Sequence, residues 1–142
     1  MADLHSIQTV FTGGMQFSAN VGRHEVIMDA GPADGGNDSG ASPKKLMLAS
    51  LAGCTGIDII SILNKMKVPF TDFSIQTEGE LTDEHPKTYD NVRIVYSIKI
   101  ADEHRDKMEK AVNLSKDKYC GVSAMFSAFA KLEWEVKFLA KK

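Results

Sequence analysis

The sequence predicts an α+β fold, and three observations carry that prediction. Alternating apolar and polar runs at the start, middle and end of the chain read as strands. One apolar stretch of helical length separates the first group of strands from the second. Helices and strands do not alternate regularly, so the order βββ–α–ββ–αα–β fits α+β rather than a repeated βαβ plan. The 142 residues are one domain's length, with 43% hydrophobic and 25% charged. No internal repeat or linker divides them, so residues 1–142 are read as a single domain.

Residues 5–12 (HSIQTVFT) alternate and stop at Gly13-Gly14, and residues 15–19 follow at once. Two such runs across a Gly-Gly pair read as a hairpin. Asn20-Val21-Gly22 reads as a further turn, and residues 24–29 (HEVIMD) as a third short strand. Residues 30–42 (AGPADGGNDSGAS) read as a mobile loop. Gly35 and Gly40 have the separation of a phosphate loop, but Ala41 stands where the lysine is needed, so that motif is rejected.

Ser42 suits a helix N-cap and Pro43 the first helical position. The helix is expected to reach about Met66, because Pro69 forbids continuation. Residues 46–63 carry a single charge, Asp58, which raises the question of a membrane span. An Asp near the centre of a span costs about 2.5–3.5 kcal/mol. Ser50, Thr55 and Ser61 add polarity, and no second span exists, so a helix buried on nearly all sides by its own protein is expected instead. At 1.5 Å per residue it is roughly 36 Å long, too long for one small domain to hide alone. Either another subunit covers part of it or two sheets enclose it.

Residues 70–81 and 91–101 alternate and are joined by a polar link, TDEHPKTYD, which reads as a long-looped hairpin. Phe73, Ile75, Thr77 and Gly79 share a side of the first, and Val92, Ile94, Tyr96 and Ile98 share a face of the second. Residues 102–118 carry a helical stripe of Met108, Ala111, Val112 and Leu114. Residues 120–130 (CGVSAMFSAFA) read as an apolar helix, and residues 132–139 (LEWEVKFL) as a closing strand.

Charge narrows the function classes. Lys and Arg number 17 against 19 Asp and Glu, a net −2, so no nucleic-acid partner is expected. Gly53-Cys54-Thr55-Gly56 has the form of an RNA-binding GxxG turn, but it lies inside an apolar helix without flanking cations. His5, His24, His85 and His104 show no metal-ligand spacing, so no metal is expected. MADLHSIQTV has no basic stretch leading into an apolar run, and a cytoplasmic chain without a membrane partner is expected.

Cys54 and Cys120 are the remaining candidates. Their plainer reading is as small buried hydrophobes. Cys120 opens a predicted helix, where the dipole lowers a thiol's pKa. Cys54 is mid-helix and needs a nearby cation to become a thiolate.

SPKKLMLASLAGCTGIDIISIL around Cys54, together with KYCGVSAMF around Cys120, resembles the OsmC/organic hydroperoxide resistance family (osmotically inducible protein C). The likeness covers essentially the whole chain, and GCTGID is most similar to an OsmC-like branch. The resemblance implies a thiol peroxidase of oxidative stress defence and a tightly intertwined homodimer. It makes Cys54 peroxidatic and Cys120 resolving, with a Cys54–Cys120 disulfide reduced by an external dithiol. It implies a hydroperoxide as substrate and neither a metal nor an organic cofactor.

The family also uses an arginine to activate the thiolate, and Arg23 in NVGRHEV fits that position. The plainer reading is an exposed turn arginine. One departure stands out: hydroperoxidase members place a Glu just after the helix-starting Pro, where this chain has Lys44 and Lys45. Asp58, four residues after Cys54 on the same helix face, is a candidate substitute, which predicts an Arg23–Asp58 contact. A core Asp bonded to backbone donors or another residue is the alternative. Met108, Met125, Phe126 and Phe129 read as core or as the wall of an apolar pocket. The competing functional reading is a non-catalytic OsmC-like dimer that binds a small apolar ligand.

Overall fold

The computed structural model describes residues 3–140, which form two compact units, one up to Met47 and one from Leu48 onward. The N-terminal unit is a three-stranded antiparallel sheet in the order β1-β2-β3. Its strands are β1 (Gln8–Gly13), β2 (Gln16–Val21) and β3 (His24–Met28). The predicted Gly-Gly hairpin joins β1 to β2, with Phe11 opposite Phe17 and their rings 5.4 Å apart. Gly22, at φ +63°, begins the tight β2–β3 turn, a conformation that glycine adopts without steric cost.

The Gly-rich segment is not the loose loop expected from its composition. Asp29 at its start is 4% exposed and gathers the chain around its carboxylate. It accepts the N–H of Ala30 at 2.8 Å, those of Asn37 and Ser39 at 3.1 Å each, and the Ser39 hydroxyl at 2.6 Å. These donors, the Ser39 hydroxyl foremost, hold its pKa down at about 2. A Cβ on Gly36 would sit 1.9 Å from the Ala30 carbonyl oxygen, so only glycine lets the loop close this tightly. The segment returns to β3 by a bridge between Met28 and Ala41.

Helix α1 (Pro43–Lys65) starts at the predicted proline and ends one residue before the predicted stop. In the second unit, β4 (Phe70–Leu81) and β5 (Tyr89–Ile100) pair antiparallel as the long-looped hairpin. Strand β6 (Lys131–Phe138) lies parallel to β5. A parallel neighbour requires a crossover. Helices α2 (Arg105–Leu114) and α3 (Gly121–Ser127) supply it, joined by one π-helical turn at Ser115–Tyr119.

The core contains the predicted face of β5: Val92, Ile94, Tyr96 and Ile98 are all within 1% of complete burial. Against them pack Leu51, Ile59 and Leu63 of α1, Met108, Ala111 and Val112 of α2, and Phe126 of α3. Each such aliphatic side chain contributes about 1.5–3 kcal/mol by leaving water.

One expectation for α1 fails. The chain buries only the stripe Leu51, Thr55, Ile59 and Leu63, spaced four apart. The helix is therefore not enclosed on nearly all sides: Ile57 is 74% exposed. It adjoins a shallow apolar hollow with Gly53, Gly56, Ile60 and Phe73. The physical reason is that the β4-β5-β6 sheet of this unit covers one face of the helix.

Candidate functional site

Helix α1 presents Cys54 and Asp58 one turn apart, on the same side. The crossover brings the other cysteine to them. The π-helical turn ends at Tyr119, and Cys120 leaves it with extended backbone angles to cap α3. The two sulfurs and a carboxylate oxygen of Asp58 lie within 4.8 Å of one another. Both cysteines are free thiols; Cys54 is half-buried and Cys120 is 3% exposed.

The expected lowering of the Cys120 pKa is overturned. Burial pushes this thiol up, and the thiol of Cys54 adds to the rise. The Ser123 hydroxyl and the Ser123 N–H, which donates to Cys120 Sγ at 3.3 Å, pull the other way without prevailing. Desolvation thus outweighs the help that a helix start offers.

Behind the carboxylate runs a chain of hydroxyls, all on fully buried residues. Tyr96 OH is 2.7 Å from Thr55 Oγ1, which is 2.8 Å from Ser115 Oγ. Ser115 donates to Asp58 Oδ2 at 3.0 Å. The direction of every bond follows from the inventory of protons. Ser115 has one proton and gives it to Asp58, so Thr55 donates to Ser115 and Tyr96 donates to Thr55. Burial pushes the Tyr96 phenol far above its ordinary range, so it keeps the proton it donates. Three dipoles therefore point at Asp58, and each strengthens the next. On its other side Asp58 lines a cleft of about 350 Å³ with Ser61, Ile62, Lys65, Met66, Leu114 and Tyr119.

Arg23 belongs to the N-terminal unit, where it is exposed in the β2–β3 turn. The second unit by itself brings together Cys54, Cys120 and Asp58. The Asp58 carboxylate takes Ser115 as a side-chain partner. No acidic residue stands in the first turn of α1, where Lys44 and Lys45 follow Pro43. Met108 and Phe126 are core, while Met125 and Phe129 are exposed.

Sequence reasoning missed Thr55, Ser115, Tyr96 and Ser123 as members of the site. Thr55 carried a signal, being the polar residue in the apolar stripe of α1. Tyr96 carried one too, as the hydroxyl-bearing residue on the buried face of β5. Ser115 and Ser123 carried none, since local sequence does not announce a π-helical turn or the cap that follows it.

The family model described as OsmC-like protein matches residues 35–135. The chain belongs to the OsmC-like family. Protein YhfA of Escherichia coli (strain K12) is 28% identical over 102 residues, covering 72% of this chain and 73% of that protein. The fold is that of a hypothetical protein from Aquifex aeolicus VF5, with a TM-score of 0.84, 24% identity and coverage of 99% of this chain and 100% of that one. An organic hydroperoxide resistance protein from Elizabethkingia anophelis, crystallised with thiocyanate, also superposes. Its TM-score is 0.68 at 19% identity, over 98% of this chain and 100% of that one. The OsmC-like fold is thus present with both cysteines adjacent.

Proposed function

We propose that this OsmC-like protein is a two-cysteine thiol peroxidase that reduces organic hydroperoxides to alcohols. The observation that carries the reading is the meeting of Cys54 and Cys120, which come from separate elements yet place their sulfurs within 4.8 Å. Their unequal burial supports the division of roles. Cys54 is the more accessible sulfur, so it attacks the peroxide. Cys120 is almost fully buried, and burial keeps it a thiol until a reactive sulfur forms beside it.

The Cys54 thiolate attacks the O–O bond, whose electron pair leaves with the alkoxide. A proton converts the alkoxide to an alcohol, and Cys54 is left as a sulfenic acid. The Cys120 thiol displaces water from that sulfenic acid to form the disulfide. An external dithiol then reduces the disulfide by exchange, returning two thiols. Arg23 is proposed to supply the cation that stabilises the thiolate and orients the peroxide oxygens. The exposed apolar side of α1, with Ile57 at its centre, supports a homodimer in which a second copy covers that side.

The test is consumption of cumene hydroperoxide or tert-butyl hydroperoxide with a dithiol reductant. Wild type is expected to turn over and to accumulate a Cys54–Cys120 disulfide when the reductant is withheld, while Cys54→Ser is inert. Absence of turnover, or a Cys54→Ser variant equal to wild type, overturns the proposal. That result would favour the second reading, a non-catalytic dimer binding a small apolar ligand. The lysines at 44 and 45, in place of an acid, are the observation on its side.

A further inference from the structure

We propose that the reduced protein binds one soft divalent cation, of the zinc and cadmium class, through Cys54 Sγ, Cys120 Sγ and the Asp58 carboxylate. The three donor atoms already lie within 4.8 Å of one another. A tetrahedral zinc holds sulfur at about 2.3 Å and carboxylate oxygen at about 2.0–2.2 Å. Its donors are then roughly 3.5–3.8 Å apart, so rotamer-scale closing of three side chains completes the set. Two thiolates select zinc or cadmium and reject magnesium and calcium, which take oxygen ligands.

The surroundings orient two of these donors, Asp58 and Cys120, without a metal. Ser115 donates to Asp58 Oδ2 and is itself backed by Thr55 and Tyr96. The Ser123 N–H donates to Cys120 Sγ. Such outer contacts are what fix a ligand's rotamer in a metal site. Three protein ligands leave a fourth position for water or an exogenous ligand, as in exchangeable rather than closed sites. The cleft beside Asp58, which Lys65 also lines, gives that position a route to solvent.

The pattern escapes a reading by spacing because its ligands come from two segments, an i,i+4 pair in α1 and a cap residue after the π-helical turn. The cation is a ligand of the reduced state and not a participant in peroxide reduction. Metal and disulfide exclude each other, since forming the disulfide removes two of the three ligands. The inference rests on the three donors alone and stands apart from the peroxidase reading.

Chelator-treated, fully reduced protein titrated with cadmium is expected to develop a thiolate-to-metal charge-transfer band saturating at one metal per chain. Asp58→Asn should keep the band but bind roughly tenfold or more weakly, and Cys54→Ser and Cys120→Ser should each diminish the band. X-ray absorption on the zinc-loaded wild type needs no variant, and should show two sulfur neighbours at about 2.3 Å with oxygen completing the shell. Absence of the band, one sulfur or four, or an Asp58→Asn affinity equal to wild type overturns the proposal. Hydroperoxide turnover is measured separately. Cadmium binding without turnover removes only the peroxidase, and turnover without cadmium binding removes only the metal site.

Discussion

Replacing Thr55 by Val tests the direction of the hydroxyl chain. The two side chains have nearly the same shape, so packing and helix geometry are kept while one hydroxyl is lost. Thr55 is completely buried and stands between Tyr96 and Ser115. In Thr55→Val the Tyr96 phenol keeps its proton but loses its acceptor, and a stranded buried donor costs about 1–3 kcal/mol. Loss of the Thr55–Ser115 bond adds about 1 kcal/mol, for a total of about 2–4 kcal/mol. Tyr96→Phe is milder, because it removes a donor and strands none: Thr55 still gives its proton to Ser115, and the expected cost is about 1 kcal/mol. In the double variant no donor is stranded, so the two costs should sum to more than the double variant loses. Urea denaturation at one protein concentration measures all three, read as a shift in midpoint at constant m. Tyr96→Phe as costly as Thr55→Val, or costs that add to within about 0.5 kcal/mol, would refute the assigned direction.

Three further outcomes are expected. Arg23→Ala should lower hydroperoxide kcat/KM by about 100-fold, as loss of a transition-state cation does, while leaving the denaturation midpoint near wild type because the side chain is exposed; Arg23→Lys should recover only part of the loss, and wild-type turnover in Arg23→Ala would exclude it from the chemistry. Asp29 has a pKa of about 2 in the folded chain against 3.8 ordinarily, so its stabilisation is complete above about pH 4 and is lost as pH falls toward 2. Hydrogen exchange at the Asn37 and Ser39 amides should accelerate over that window, and Asp29→Asn should abolish the pH dependence. Gly53→Ala meets nothing within 4 Å in the single chain, so it should stabilise an uncovered helix by about 1 kcal/mol. If a second copy covers α1, sedimentation should instead show weakened association.

The strands were legible because their alternation has a burial consequence. Val92, Ile94, Tyr96 and Ile98 had to face one way, and the face they share is the core. Ser42-Pro43 and Pro69 bracketed α1 because a proline acts at one residue, not over a window. The extent to which α1 is covered was not legible, since apolar composition states a need for burial without naming what meets it. The Gly-rich loop was misjudged for a related reason: its order comes from a single carboxylate, Asp29, whose four donors are spread over ten residues. At the site, the two cysteines were visible as residue types. Their approach depends on the π-helical turn at Ser115–Tyr119, which adds no distinctive residue to the sequence.

Asp58 decides what positive charge the site must recruit. It is an acceptor with three aligned hydroxyl dipoles behind it, and a thiolate on either neighbouring sulfur would be a second anion within 4.8 Å. Like charges at that range oppose one another unless a cation stands between them. The proposed peroxidase meets this need with the Arg23 guanidinium, and the proposed metal site meets it with a divalent ion. On those two proposals the cations serve one electrostatic demand and compete for it. If Arg23 serves the thiolates, removing it should tighten cadmium binding while it depresses turnover. If Arg23 is only a turn residue, both quantities should stay at their wild-type values, and the carboxylate would then be neutralised by metal alone.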